Sequence, residues 1–129
     1  MKLNQDCVRA VLLELEENLT LNEDLYFFQI KQLDCIEKYD EDTVIYSILK
    51  LIEAKYLLGE PLYAGDELME LTLSSLTWDG HLFLDTIRDN KVWKETKSVV
   101  SKFSSVSISL MSTIASNILN ELIKKQLGL

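Results

Sequence analysis

Apolar residues recur along the chain in two rhythms. Val8, Val11, Leu12 and Leu15 step by three and four, the period of one helix face, and Asn4 and Asp6 ahead of them are helix-start residues. A first helix is expected from Gln5 to Asn18, with Arg9, Glu14, Glu16 and Glu17 on its wet side. After a polar stretch at 19–24, Tyr26-Phe27-Phe28-Gln29-Ile30 has the aromatic density of a short strand, and equally the start of a helix. Ile30, Leu33 and Ile36 return to helical spacing and end at Asp40-Glu41-Asp42. Asp40 or Asp42 can cap a third helix, whose Val44, Ile45, Ile48, Leu49, Ile52 and Tyr56 give the strongest helical period of the first half.

Gly59 and Pro61 stop that helix. Ala64-Gly65-Asp66 supplies a turn and Leu71-Thr72-Leu73 alternates as a half-buried strand, so a β-hairpin is expected around this turn. Thr77 is a suitable N-cap for a fourth helix that buries Leu82, Phe83, Leu84 and Ile87 and ends near Asn90. From 94 to 126 neither Gly nor Pro interrupts. Val99, Phe103, Val106, Leu110, Ile114, Ile118 and Leu122 step by three and four, which predicts one long helix or two with a break. Val100, Ile108, Met111, Ala115, Leu119 and Ile123 form a second apolar line beside the first. A helix so apolar needs cover from two sides, and self-association through Phe103, Val106, Leu110, Ile114, Ile118 and Leu122 is expected, with a homodimer as the simplest product.

The predicted fold is therefore mainly α with a small β-hairpin. Helix, short strand, helix, helix, hairpin and helix is the order of a winged helix-turn-helix core, in which the third helix is the recognition helix and the hairpin the wing. The expected organisation is a winged-helix-like domain over 1–90 and a C-terminal amphipathic helix over 91–129.

Charge changes this picture. The 129 residues carry 13 basic and 21 acidic side chains, net -8, which is the wrong sign for a generic binder of phosphate backbones. Residues 1–60 are at -7, 61–90 at -5 and 91–129 at +4: an acidic body with a basic tail. A recognition helix that opens on Asp40-Glu41-Asp42 would meet DNA with three carboxylates. If DNA is a partner, its contacts fall on Lys50 and Lys55, late in that helix, and on Lys91, Lys94 and Lys97. A phage or host protein is the alternative partner for an acidic interaction module. Residues 1–6 lack the apolar region of a secretory signal, and 103–120, although uncharged, has Ser, Thr or Asn at half of its 18 positions, too polar for a membrane span. The expectation is a cytoplasmic protein with reduced cysteines and no membrane.

Catalysis finds no motif: there is no phosphate-cradling glycine loop, nucleophile elbow or zincin helix. Cys7, Cys35 and His81 lack the spacing of a zinc site, so neither cofactor nor metal is expected and no enzyme is inferred. His81 is expected to hydrogen-bond near the start of the fourth helix, and Trp78 and Trp93 to anchor that part of the chain in the core.

Four stretches carry a resemblance: Met1-Lys2-Leu3-Asn4-Gln5-Asp6-Cys7-Val8-Arg9, the helix around Tyr46 to Ala54, the block Leu76-Thr77-Trp78-Asp79-Gly80-His81-Leu82-Phe83-Leu84-Asp85-Thr86-Ile87-Arg88-Asp89, and Trp93 with the closing Leu127-Gly128-Leu129. Across essentially its whole length the chain resembles a domain-of-unknown-function family encoded largely by bacteriophages, prophages and Firmicutes genomes, and the Leu-Thr-Trp-Asp-Gly-His block is the most specific part. More distantly it resembles winged-helix regulators in which a Leu-Thr-x-x-Gly block follows the wing. The resemblance implies a winged-helix-like core, a C-terminal helix and no established activity. The chain departs from the family pattern at Ser47, where His is frequent, and at Lys55, where Gly is frequent and would end the helix in the left-handed conformation.

Overall fold

The computed structural model describes residues 1–129, which form seven helices and one hairpin. Two compact units, Met1–His81 and Leu82–Leu129, divide the chain.

The first unit opens with α1 (Gln5–Asn18), where Asn4 caps by accepting from the Cys7 N–H at 3.0 Å. Its stripe Cys7, Val8, Val11, Leu12 and Leu15 is buried. The segment 26–30, which reads as strand or helix, is helical, and the strand-like pairing falls just before it. Leu25 exchanges two backbone hydrogen bonds with Leu73 (2.8 and 2.9 Å), and one turn of helix, α2 (Phe27–Ile30), follows at once. A short α3 (Cys35–Tyr39) comes next, its first amides held from outside: the Glu14 carboxylate accepts from the N–H groups of Asp34 at 2.6 Å and Cys35 at 2.9 Å. One side chain of α1 thereby satisfies donors that a helix start leaves unpaired.

Asp40 both ends α3 and starts α4 (Glu41–Glu53), accepting from the Thr43 N–H at 2.8 Å. Its backbone sits at φ 65°, ψ 164°, a region kept almost entirely for glycine, so the cap is held against local strain. Val44, Ser47, Ile48 and Leu51 are buried against α1, α3 and the hairpin. Each fully buried aliphatic side chain of this set contributes about 1.5–3 kcal/mol. Ser47 costs little there, since its hydroxyl donates to the Thr43 carbonyl at 2.8 Å.

The hairpin pairs β1 (Leu57–Ala64) with β2 (Glu67–Leu76) antiparallel, Gly65 and Asp66 making the tip. Gly65 has φ +62°, as a two-residue turn joining twisted strands requires. Leu57, Leu71, Leu73 and Leu76 face the core.

In the second unit the fourth apolar segment is α5 (Trp78–Ile87), which begins in the first unit, and the expected C-terminal helix is two: α6 (Asn90–Val100) and α7 (Ile108–Gln126). The break at 101–107 contains four serines, whose hydroxyls compete for backbone groups. Ser101 donates to the Ser98 carbonyl at 2.8 Å, and Ser107 caps α7 by accepting from the Leu110 N–H at 3.1 Å. Phe103 and Val106 therefore lie in the break, so the apolar line through them does not continue as one helix face. The line that α7 buries is the second one, Ile108, Met111 and Ala115.

Candidate functional site

The expected recognition helix and wing correspond to α4 and the hairpin. The buried stripe of α4 leaves Glu41, Asp42 and Glu53 exposed and Lys50 half-buried. Acidic residues in the first turn suit the helix dipole, which explains them without any ligand. Lys50 is engaged: its Nζ lies 2.7 Å from Glu53 Oε2 and 5.4 Å from the Tyr46 ring centre. The hydrogen bond that Lys50 donates to Glu53, with smaller contributions from the charges of Glu53, Tyr46 and Tyr63, raises the Lys50 pKa. On the hairpin every ionisable acid or base other than Tyr63 is acidic: Glu60, Asp66, Glu67 and Glu70.

Lys55 is the residue at which α4 ends. It adopts φ 64°, the left-handed conformation that glycine would take without strain. Its carbonyl accepts from the Thr77 hydroxyl at 2.7 Å, and the same oxygen of Thr77 accepts from the Gly80 N–H at 3.0 Å. The Thr77 N–H donates to the Tyr56 carbonyl at 3.1 Å. A Cβ on Gly80 would collide with that same carbonyl oxygen. The Leu76-to-His81 block is thus a junction: Thr77 caps α5 while fastening the end of α4, and Gly80 lets the two backbones touch.

Trp78, inside this block, corrects its expected core role, being 78% exposed. Residues two apart lie on nearly opposite sides of a helix, and on α5 it is Gly80, not Trp78, that stands against Tyr56. Trp93 is buried as expected. His81 donates its backbone N–H to the Thr77 carbonyl at 2.9 Å, and its half-exposed ring places Nδ1 3.9 Å from Glu16 Oε2.

Lys91, Lys94 and Lys97 are exposed on α6, Lys91 and Lys94 on the side away from its buried Val92, Trp93 and Thr96 and Lys97 one turn after Trp93. Asp89 caps this helix through the N–H groups of Lys91 and Val92 at 2.9 and 3.0 Å. Lys97 Nζ is 6.0 Å from the Trp93 ring centre. Lys50 and Lys55 belong to the first unit and these three to the second.

Cys7 and Cys35 are free thiols, both buried. Burial, with the neighbouring Glu14 carboxylate adding to it, pushes the Cys35 pKa up to about 12. Burial also raises that of Cys7, against a hydrogen bond with Ser47. Thiols held protonated are poor nucleophiles and poor metal ligands, and no three His, Cys, Asp or Glu residues gather as a metal site. No helix is long and apolar enough to cross a membrane.

Sequence reasoning missed the outer face of the hairpin. Leu58 and Leu62 are 55% and 61% exposed, and the alternation Leu58, Glu60, Leu62 was the available signal, since strand residues two apart share a face.

A family described as "Hypothetical protein (DUF2513)" matches residues 2–107, which takes in the first unit, α5 and α6 and stops short of α7. An "Uncharacterized protein" of Haemophilus influenzae (strain ATCC 51907 / DSM 11121 / KW20 / Rd) is 31% identical over 124 residues, covering 95% of this chain and 99% of its own length. No solved structure matches.

Proposed function

The chain belongs to the hypothetical-protein family DUF2513, and from that premise we propose that it is a non-enzymatic binding protein, a winged-helix-like scaffold whose helix-and-hairpin surface takes a protein partner. The winged-helix reading is supported by connectivity. Helix α1, the Leu25 pair, helices α3 and α4 and then the hairpin follow in the order of that fold, and Leu25 adds a third strand position beside β2 through Leu73. The observation that carries the choice of partner is the charge of the surface. Asp40, Glu41 and Asp42 open α4, Glu53 occupies Lys50, and the hairpin offers Glu60, Asp66, Glu67 and Glu70. Phosphate backbones are bound by lysine and arginine, and like charges brought together at an interface cost several kcal/mol.

The resemblance to phage- and prophage-encoded proteins makes a phage or host protein in the cytoplasm the partner we propose. Self-association accompanies this reading. Phe103 and Leu110 are 63% and 52% exposed, and Ile114, Ile118 and Leu122 are half-buried on α7. Light scattering at micromolar concentration is expected to give a dimer, and a monomer would overturn that part.

One observation favours DNA as a second reading: the exposed row Lys91, Lys94 and Lys97. Fluorescence anisotropy with duplex DNA, both a random pool and the gene's own upstream region, decides between the two across a salt series. The protein-binding reading expects no sequence-specific complex. Specific binding with a steep negative salt slope, lost in Lys94→Glu/Lys97→Glu, would replace it with a DNA-binding regulator.

A further inference from the structure

We infer that the outward face of the β1–β2 hairpin is a docking surface for a basic amphipathic helix of a partner protein; the inference rests on the protein-binding reading and names the partner's chemistry. Leu58, Glu60 and Leu62 alternate onto this face, and the register sets Thr72 across from Glu60 and Glu70 across from Leu62. Met69, half-exposed, lies at the irregularity between Leu62 and Tyr63. Apolar side chains set among carboxylates are what a partner bearing leucines beside lysines or arginines would complement. The apolar residues supply buried area, and the carboxylates select the sign of the partner and steer its approach.

The edges of the hairpin point to the face as the place of docking. On the β2 side Leu25 has already exchanged both hydrogen bonds with Leu73. On the β1 side Pro61 stands in mid-strand, and a proline on an edge strand interrupts the ladder that an added strand would need. Leu58 and Leu62 are separated by ~13 Å along the strand, a length that an α-helix covers in about nine residues. Two leucines spaced by two helical turns and more can therefore seat one apolar stripe, leaving its flanking cations over Glu60 and Glu70.

The test uses the full-length chain and two fluorescein-labelled amphipathic peptides, one with leucine on one face and lysine on the other, and one with glutamate in place of lysine. The lysine peptide is expected to bind and the glutamate peptide not to. The double substitution Leu58→Ser/Leu62→Ser should weaken binding about tenfold or more at constant ionic strength, with an unchanged circular dichroism spectrum. Leu127→Ser, an equally exposed apolar residue of the second unit, should leave it unchanged. Glu60→Lys/Glu70→Lys should weaken it as well. Binding that ignores the hairpin substitutions would show attraction to the acidic unit at large and overturn the inference while the protein-binding reading stands. Absence of binding to the lysine peptide would also overturn it. Specific duplex DNA binding in a parallel titration would instead remove the reading on which it rests.

Discussion

The two compact units of the chain are stabilised in different ways. Met1–His81 carries 17 acidic against 6 basic side chains, and Leu82–Leu129 carries 4 against 7. In the first unit side chains tie elements that are far apart in sequence: Glu14 caps α3, Thr77 holds the end of α4, and the Tyr46 hydroxyl donates to the Met1 carbonyl at 3.1 Å. In the second, Thr86, Thr96 and Thr113 donate to carbonyls four residues back, and Asp89 and Ser107 cap their own helices. Long ties make the geometry of a unit depend on several elements at once. Local ties fix the ends of each helix and leave its stability to the packing of its apolar side. An acidic unit built by the first method can keep a net charge that repels itself, since its shape is over-determined.

The sharpest way to break this contrast is at Gly80. Gly80→Ala would put a methyl group against the Tyr56 carbonyl, and a loss of about 3 kcal/mol or more is expected in urea unfolding. Trp78→Ala two positions earlier should change stability by less than about 0.5 kcal/mol because its ring is in water. Core truncation sharpens the same comparison. Ile48→Ala in the first unit should cost about 2–5 kcal/mol, whereas Leu110→Ala should leave the unfolding midpoint nearly unmoved and, if α7 self-associates, reduce the dimer fraction in light scattering.

Alkaline titration addresses the buried thiols. Cys35 has its pKa raised from the ordinary 9.0 to about 12, so above pH 9 the unfolded chain loses a proton that the folded chain keeps. The stability associated with this group is complete below pH 9 and declines as pH rises from 9.0 towards 12. Unfolding midpoints should fall over that interval, and iodoacetamide should modify Cys35 at pH 8 far more slowly in the folded protein than in urea. The smallest effect is at Lys55. Lys55→Gly places the residue that suits φ 64° at the end of α4, and a gain of about 1 kcal/mol is expected from differential scanning calorimetry.

What was legible in the sequence follows the reach of the physics involved. The bounds of α1, the caps Asn4, Asp40 and Thr77 and the hairpin around Gly65 all arise from groups three or four positions apart, and each is found where local spacing predicts it. Residues 26–30 read as strand or helix because the extended pairing ends just before them, at Leu25, and its partner Leu73 lies in the other half of the unit. Trp78 was misread for a related reason. Its composition suits a core, but the face of α5 that presses inward is fixed by Gly80 against Tyr56, a contact with no trace in local periodicity. The break at 101–107 was open in the pattern, and the serine run decided it. As for the candidate surface, its acidic helix start was plain from Asp40, Glu41 and Asp42, while the pairing of Lys50 with Glu53 and the apolar outer face at Leu58 and Leu62 required the fold.

The Thr77 oxygen has a dynamic consequence. One hydroxyl donates a hydrogen bond to Lys55, just past the C-cap of α4, and accepts one from the first turn of α5, so neither end can fray without releasing the other. The Gly80 amide and the amides of Ala54 and Lys55, bonded to the carbonyls of Lys50 and Ile52, belong to one opening event, and their hydrogen-exchange rates should rise and fall together with denaturant. The Leu76-to-His81 block thus makes a helix end and a helix start into a single cooperative element.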